Sequence, residues 1–184
     1  MSALFSQLPL GGGVSIALSP VNLAAAAANS LYANVANVNK ALLLVVFLRA
    51  GASGENVTIN LQQAQDASGT GAKALNIQEV YFKRGATTFA TAPNTNDKFA
   101  RSPSTPNNRE TSISSYATAT DRVAATNDFM AVIRICPADL DADNNFRFVR
   151  AQFTDPGTTE QLGFALWMAD NYAYQGVDVP SILA

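Results

Sequence analysis

The first third of this 184-residue chain contains an unbroken apolar run, Ala41-Leu42-Leu43-Leu44-Val45-Val46-Phe47-Leu48. After Gly51 and Gly54, apolar and polar residues alternate strictly in Val57-Thr58-Ile59-Asn60-Leu61-Gln62. Alternation with a period of two, between glycine-rich turns, is typical of antiparallel β-strands. The first run is apolar on both of its faces, and it therefore predicts a central strand that is covered on both sides.

The rest of the chain supplies further strand patterns around this pair. Ser68-Gly69-Thr70-Gly71 and Asp155-Pro156-Gly157 are turn sequences, and Pro137 to Leu140 predicts a short helical turn. Strands are predicted at 14–18, 29–35, 41–48, 57–62, 75–83, 129–135, 146–153 and 162–169. Seven or eight strands with short turns predict an all-β fold, an antiparallel β-sandwich of the jelly-roll or immunoglobulin-like (Ig-like) type.

The predicted domain organisation is one sandwich with two extended ends. Residues 21–170 form the β-sandwich domain, which includes a long polar loop near 91–115. Residues 1–20 predict an N-terminal arm, because Gly11-Gly12-Gly13 makes a flexible joint, and 171–184 predict a C-terminal tail. A loop of this length without periodicity is either an exposed contact surface or a disordered excursion.

Charged residues make up only 14% of the chain, and the formal net charge is −2. About a quarter is usual in soluble proteins, and charge is depleted at the centres of protein interfaces. The composition thus indicates a subunit that lies against neighbours, or else a neutral soluble protein. No basic face is available for nucleic acid, and no apolar run approaches the ~20 residues of a membrane span, so neither partner is predicted.

Groups that carry catalysis or bind metals are scarce. The chain has no histidine, which removes Ser-His and Cys-His pairs and the commonest metal ligand. Its one cysteine, Cys136, is predicted to be a structural thiol. Asp139-Leu140-Asp141-Ala142-Asp143 resembles the start of a calcium loop, but Asn144 and Arg150 replace the required glycine and glutamate. We therefore expect no enzymatic activity, no cofactor and no metal site.

Two pairs of segments carry a family resemblance. One pair is Val57-Thr58-Ile59-Asn60-Leu61-Gln62-Gln63-Ala64 and the glycine-rich turn that continues to Leu75. The other is Phe146-Arg147-Phe148-Val149-Arg150-Ala151 and the strand from Leu162 to Met168. Together they resemble small β-sandwich proteins encoded among the virion-assembly genes of tailed bacteriophages. The resemblance implies a non-enzymatic virion structural protein, in the first place a capsid decoration (cement) protein.

The same resemblance implies partners and a location. A decoration protein stabilises the phage head through contacts with the major capsid protein or other virion subunits. We expect a homo-oligomer in the virion, assembled in the host bacterial cytoplasm. The alternatives are a neck or tail component and a carbohydrate-binding module for host recognition.

A sugar site requires exposed aromatic rings, and Tyr172 and Tyr174 are the candidates for it. The other aromatic residues of the second half are predicted by their spacing to be core, namely Phe146, Phe148, Phe153, Phe164 and Trp167.

The two ends of the chain are the predicted interaction sites. Val14 and Ile16 alternate with polar residues behind the glycine joint, so this segment can complete an exposed sheet edge of another subunit. The tail is too apolar for a solvated end, and its candidate contact residues are Tyr172, Tyr174, Val179 and Ile182. The alternative is that both ends pack on their own sandwich.

Deleting residues 1–13 distinguishes these two arrangements. If the arm is intermolecular, the truncated subunit keeps its thermal stability nearly unchanged but loses oligomerisation or particle binding, because only contacts between subunits are removed. Thermal melting and sedimentation velocity measure the two effects. A truncated chain that assembles and binds particles normally contradicts this prediction.

Overall fold

The structure, a computed structural model, describes residues 14–36, 38–49, 57–77, 79–83, 99–102, 113–114 and 128–172. Within them the fold is all-β, and two antiparallel sheets pack together, so the predicted β-sandwich is confirmed. Twelve strands are present, more than predicted, because several have only two to four residues. They are β1 (Val14–Asn22), β2 (Ala28–Asn29), β3 (Ala33–Asn34), β4 (Val38–Leu48), β5 (Thr58–Ala64), β6 (Lys73–Leu75), β7 (Glu79–Lys83), β8 (Phe99–Ser102), β9 (Ile113–Ser114), β10 (Phe129–Ile135), β11 (Phe148–Phe153) and β12 (Leu162–Tyr172).

The strand order is that of a jelly roll. Sheet A runs β1-β12-β4-β10-β7-β8, and sheet B has β11 between β5 on one side and β2 and β3 on the other, with β6 and β9 beyond β5. The first strand thus pairs with the last, β2 and β3 pair with β11, β4 pairs with β10, and β5 pairs with β6. Successive pairs along the chain thus alternate between the two sheets, which is the strand order of a jelly roll. Of the jelly-roll and Ig-like types that the sequence pattern left open, the structure has the first.

The core lies between the two sheets. Leu42, Leu44 and Val46 point inward from β4 and are fully buried, in one cluster with Ile59 and Leu61 of β5. This burial of apolar area is the main favourable term that holds the sheets together.

Trp167 is the largest fully buried side chain, so its predicted place in the core is confirmed. Its inward neighbours along β12 are Ala165 and Ala169, which leave room for the indole.

The predicted strand 75–83 is wrong as a single strand. β6 ends at Leu75 in sheet B and β7 begins at Glu79 in sheet A, so the chain crosses from one sheet to the other between them. Leu75, Ile77 and Val80 are all buried. The apolar pattern therefore continues through the crossing and hides it from sequence reasoning.

Parts of the regions predicted to be irregular form strands. β8 and β9 lie within the predicted loop 91–115 and pair with β7 and β5. Residues 14–20 of the predicted arm belong to β1, which pairs with β12 of the same chain. Residues 171–172 of the predicted tail continue β12. The rest of the arm, 1–13, and of the tail, 173–184, lies outside the described residues.

Hydrogen bonds around Ser30 tie the two sheets together between β2 and β3. The Ser30 N–H donates to the Ala151 carbonyl (2.8 Å), and the Ala151 N–H donates back to Ser30 Oγ (2.8 Å). The next residue contacts sheet A: Leu31 N–H donates to the Ala17 carbonyl (3.0 Å), and Trp167 Nε1–H donates to the Leu31 carbonyl (3.3 Å). Ser30 is only 5% exposed, so water cannot replace its hydroxyl.

The predicted turn between β5 and β6 is built on one carboxylate. Asp66 Oδ1 accepts hydrogen bonds from the N–H groups of Ser68 (2.9 Å) and Thr70 (3.0 Å), and Oδ2 accepts one from Thr70 Oγ1 (2.6 Å). The Thr70 hydroxyl, followed by the Thr70 N–H, holds the pKa of Asp66 below its ordinary value of 3.8. Gly69 has φ +89°, and a Cβ there would lie 2.8 Å from the Tyr32 hydroxyl, so this turn requires glycine.

Replacing Ser30 with alanine is expected to lower the free energy of unfolding by about 1–3 kcal/mol, because the buried Ala151 N–H loses its acceptor. Chemical denaturation measures the change. Ser19→Ala, at an exposed position of β1, is the matched control and should stay within about 0.5 kcal/mol of the unmodified chain. Equal losses in the two variants would contradict the role assigned to Ser30.

Replacing Asp66 with asparagine is expected to destabilise the chain at neutral pH and to have little effect in strong acid. The lowered pKa of Asp66 means that its contribution is present above the ordinary value of 3.8 and is lost as the pH falls through the folded-state pKa. Urea midpoints at about pH 7 and about pH 2 test this dependence. Asp143→Asn removes an exposed carboxylate and is the control, and a difference that persists undiminished at the acid pH contradicts the prediction.

Candidate interaction face

Sheet A is apolar on the face that points away from sheet B. Directly opposed residues of an antiparallel ladder lie on the same face, so the strand registers define three rows of outward side chains across β1, β12, β4, β10 and β7. The rows are Phe164–Phe47–Met130, Ile16–Leu166–Val45–Val132–Tyr81 and Val14–Met168–Leu43–Arg134–Glu79. We call this set the outer apolar face. Its two charged members, Arg134 and Glu79, form an ion pair with each other at 3.4 Å.

The outer apolar face is exposed along its β1 edge and half-buried over most of the rest. Ile16 is 55% exposed and Val14 is 37% exposed, and Val45 at the centre is buried. The members on β12 and β10 are half-buried. Every described strand belongs to sheet A or to sheet B, and none of them lies across this face. The sequence predicts that β4 is covered on both of its faces, and for the outward face this stays a prediction.

The outer face of sheet B has the opposite character. Its central outward side chains are Asn60 and Gln62 of β5 and Arg150 and Gln152 of β11. Arg150 Nε donates a hydrogen bond to Gln62 Oε1 (2.9 Å), and its guanidinium lies over the Tyr32 ring, 4.9 Å from the ring centroid. The sandwich thus has one face that suits water and one that suits contact with another apolar surface.

A cleft opens at one corner of the outer apolar face, where β1, β12 and the end of β4 meet. The rings of Phe47 and Phe164 are stacked there, with centroids 4.6 Å apart and an interplanar angle of 8°. The cleft has a volume of about 260 Å³ and is lined almost wholly by apolar atoms. We call it the corner cleft, and its lining residues are Pro20, Phe47, Arg49, Leu162, Gly163 and Phe164.

Backbone contacts fix the rim of the corner cleft. The Arg49 N–H donates to the Leu162 carbonyl (2.8 Å), and the Gln161 side-chain amide donates to the Arg49 carbonyl (3.1 Å). The Arg49 side chain is exposed and makes no ion pair or hydrogen bond with the part of the chain that the structure describes. A cation is therefore held at the edge of an apolar recess.

Three of the six residues predicted to make contacts with other subunits lie on described strands. Val14 and Ile16 lie on the edge strand β1 as members of the outer apolar face. Tyr172 is the last residue of β12 and pairs with Val38. The remaining candidates, Tyr174, Val179 and Ile182, lie outside the described residues.

Sequence reasoning missed one corner of this face. Phe164 was expected in the core, and that prediction is wrong because its side chain points outward and is half-buried. Phe148 is also half-buried on an outward position, whereas Phe146 and Phe153 are buried as predicted. Side-chain size along β12 could have predicted the outward direction of Phe164. Gly163 and the inward alanines of this strand alternate with large apolar residues, which therefore point to the other face.

Among the described residues, the side chains that could take part in catalysis or metal binding make structural contacts instead. Partial burial raises the pKa of the Cys136 thiol, which disfavours the reactive thiolate. Asp141 forms an ion pair with Lys73 and accepts hydrogen bonds from the Asn144 amide, and Lys73 followed by Asn144 lowers the pKa of Asp141. No group of three or more Cys, Asp or Glu side chains in the described ranges is arranged to hold a metal ion.

Trp167 is unavailable to a sugar ring, because it is fully buried and its Nε1–H donates to Leu31. Within the described ranges, no helix is both long enough and apolar enough to cross a bilayer. No protein-family model matches the chain, and neither the curated proteins nor the solved structures contain a significant match to it.

Proposed function

We propose that this chain is a non-enzymatic structural subunit of a virion, a decoration protein that binds a capsid surface of a tailed bacteriophage through its outer apolar face. The observation that carries the proposal is the contrast between the two outer faces of the sandwich. A polar face on sheet B and a broad apolar face on sheet A suit a subunit that attaches on one side and meets solvent on the other.

The composition of the outer apolar face supports contact with protein. Leu166, Val132 and Met168 are large apolar side chains at outward positions, and Arg134 and Glu79, the charged residues of the three rows, form an ion pair with each other. Aromatic residues and methionine are enriched where protein surfaces meet, and unpaired charge is depleted there.

The virion as the location is supported by two weaker arguments. Jelly rolls occur in viral capsid proteins, and also in lectins and cupins, so the fold alone does not decide the function. The resemblance to virion-assembly β-sandwich proteins favours the first class. For the carbohydrate-binding alternative, the buried Trp167 offers no platform, and the candidate Tyr174 lies outside the described residues.

Leu166→Glu is expected to abolish incorporation into virions, because it places a charge at the centre of the outer apolar face, which becomes desolvated on binding. Quantitative mass spectrometry of purified virions measures the copy number. The unmodified chain should be present in many copies, and the variant should remain in the unassembled fraction.

Gln152→Glu is the matched control, because it introduces the same charge at a half-buried outward position of sheet B. It should be incorporated normally. Circular dichroism checks that both variants fold, which is expected because neither position faces the core. Normal incorporation of Leu166→Glu, or absence of the unmodified chain from purified virions, would overturn the proposal.

A further inference from the structure

The corner cleft has the size of a side-chain pocket. Its volume of about 260 Å³ is below the ~300–1,000 Å³ of pockets that enclose drug-sized ligands. It is above the ~150 Å³ of a protein cavity that holds a benzene molecule. One leucine- or phenylalanine-sized side chain with part of its backbone therefore fits this space.

We propose that the corner cleft is the anchor pocket for an extended segment of a partner protein, which inserts one apolar side chain and places a carboxylate next to it against Arg49. The inference rests on the proposed function and identifies the chemistry of the partner segment at one corner of the same face. The apolar part of the partner is set by the lining, where Phe47, Phe164 and Leu162 meet.

The acidic part of the partner is set by Arg49. Its guanidinium is exposed and makes no ion pair with a described residue, while the backbone on both sides of its Cα is fixed by Leu162 and Gln161. The charged members of the outer apolar face, Arg134 and Glu79, already neutralise each other. Arg49 is thus a charge at the rim of the cleft that no described residue pairs, and a carboxylate of the partner segment would complement it.

Strand addition to β1 is a less suitable way to use this corner. Pro20 lines the cleft and has no N–H to donate, and the β1–β12 register shifts on both sides of Leu18. A bulged edge with proline discourages backbone pairing. Recognition at this corner therefore depends on a side chain entering the cleft, with the neighbouring charge fixing its orientation.

Charge-swapped peptides test the inference on the full chain. The probe is a short capped peptide of glycine and serine with a central Phe-Asp pair, titrated while the amide NMR signals of Arg49, Leu162 and Gly163 are followed. A single anchor predicts a dissociation constant on the order of millimolar. A Phe-Lys peptide should bind about fivefold more weakly, since a rim charge pair changes affinity by about that factor at most. A Ser-Asp peptide should not bind.

Arg49→Glu should reverse the preference, so that the Phe-Lys peptide binds more tightly than the Phe-Asp peptide. Arg147→Glu, an exposed position of the sheet B side, is the matched control and should leave the preference unchanged. Reversal supports the inference. Absence of binding, shifts confined to other residues, or an unchanged preference in Arg49→Glu overturns it.

Virion incorporation separates this inference from the proposed function. Incorporation that fails in Leu166→Glu but is normal in Arg49→Glu overturns the anchor and leaves the decoration role standing. Incorporation that is normal in both overturns the proposed function. If Arg49→Glu instead changes self-association in sedimentation velocity and leaves peptide binding unchanged, the occupant is a second copy and the partner-segment proposal is overturned.

Discussion

The central position of β4 is the constraint on which the rest of the sandwich depends. It is hydrogen-bonded on one edge to β12 and on the other to β10, over most of its length. Register is usually set by polarity, because a one-residue slip moves apolar side chains into water. That mechanism is weak here, since both faces of β4 are apolar. Size takes its place: the inward residues of β12 are small apart from Trp167, and a slip would force Phe164 and Leu166 into a core that has no room for them.

Much of the fold follows from local pattern. The prediction 129–135 coincides with β10, Pro137–Asp139 forms the predicted short helix, and Gly157 accepts φ +135° in the predicted Asp-Pro-Gly turn. Each of these depends on residues close together in the chain. The crossing between Leu75 and Glu79 and the outward direction of Phe164 depend instead on which face another layer covers. Periodicity shows which residues share a face, but it does not show what lies on that face.

The same reasoning explains why the candidate site was the harder part to predict. The prediction that Val14 and Ile16 make contacts depends on their alternation with polar residues behind a run of glycines, and it stays a prediction. The corner cleft combines residues from three strands that are distant in sequence, with Pro20, Phe47 and Phe164 meeting only through the jelly-roll order. The hydrogen bonds of Ser30 with Ala151, 121 residues apart, are equally invisible in a single sequence.

The pairing of the first strand with the last has a consequence for how the ends of the sandwich are placed. Val14 lies opposite Met168, and β12 continues four residues further to Tyr172, roughly 13 Å along the strand. The outer ends of β1 and β12 are therefore close neighbours on one side of sheet A. A linker of modest length could join them, which makes the domain suited to circular permutation. A cargo fused at either point would be held beside the same region of sheet A.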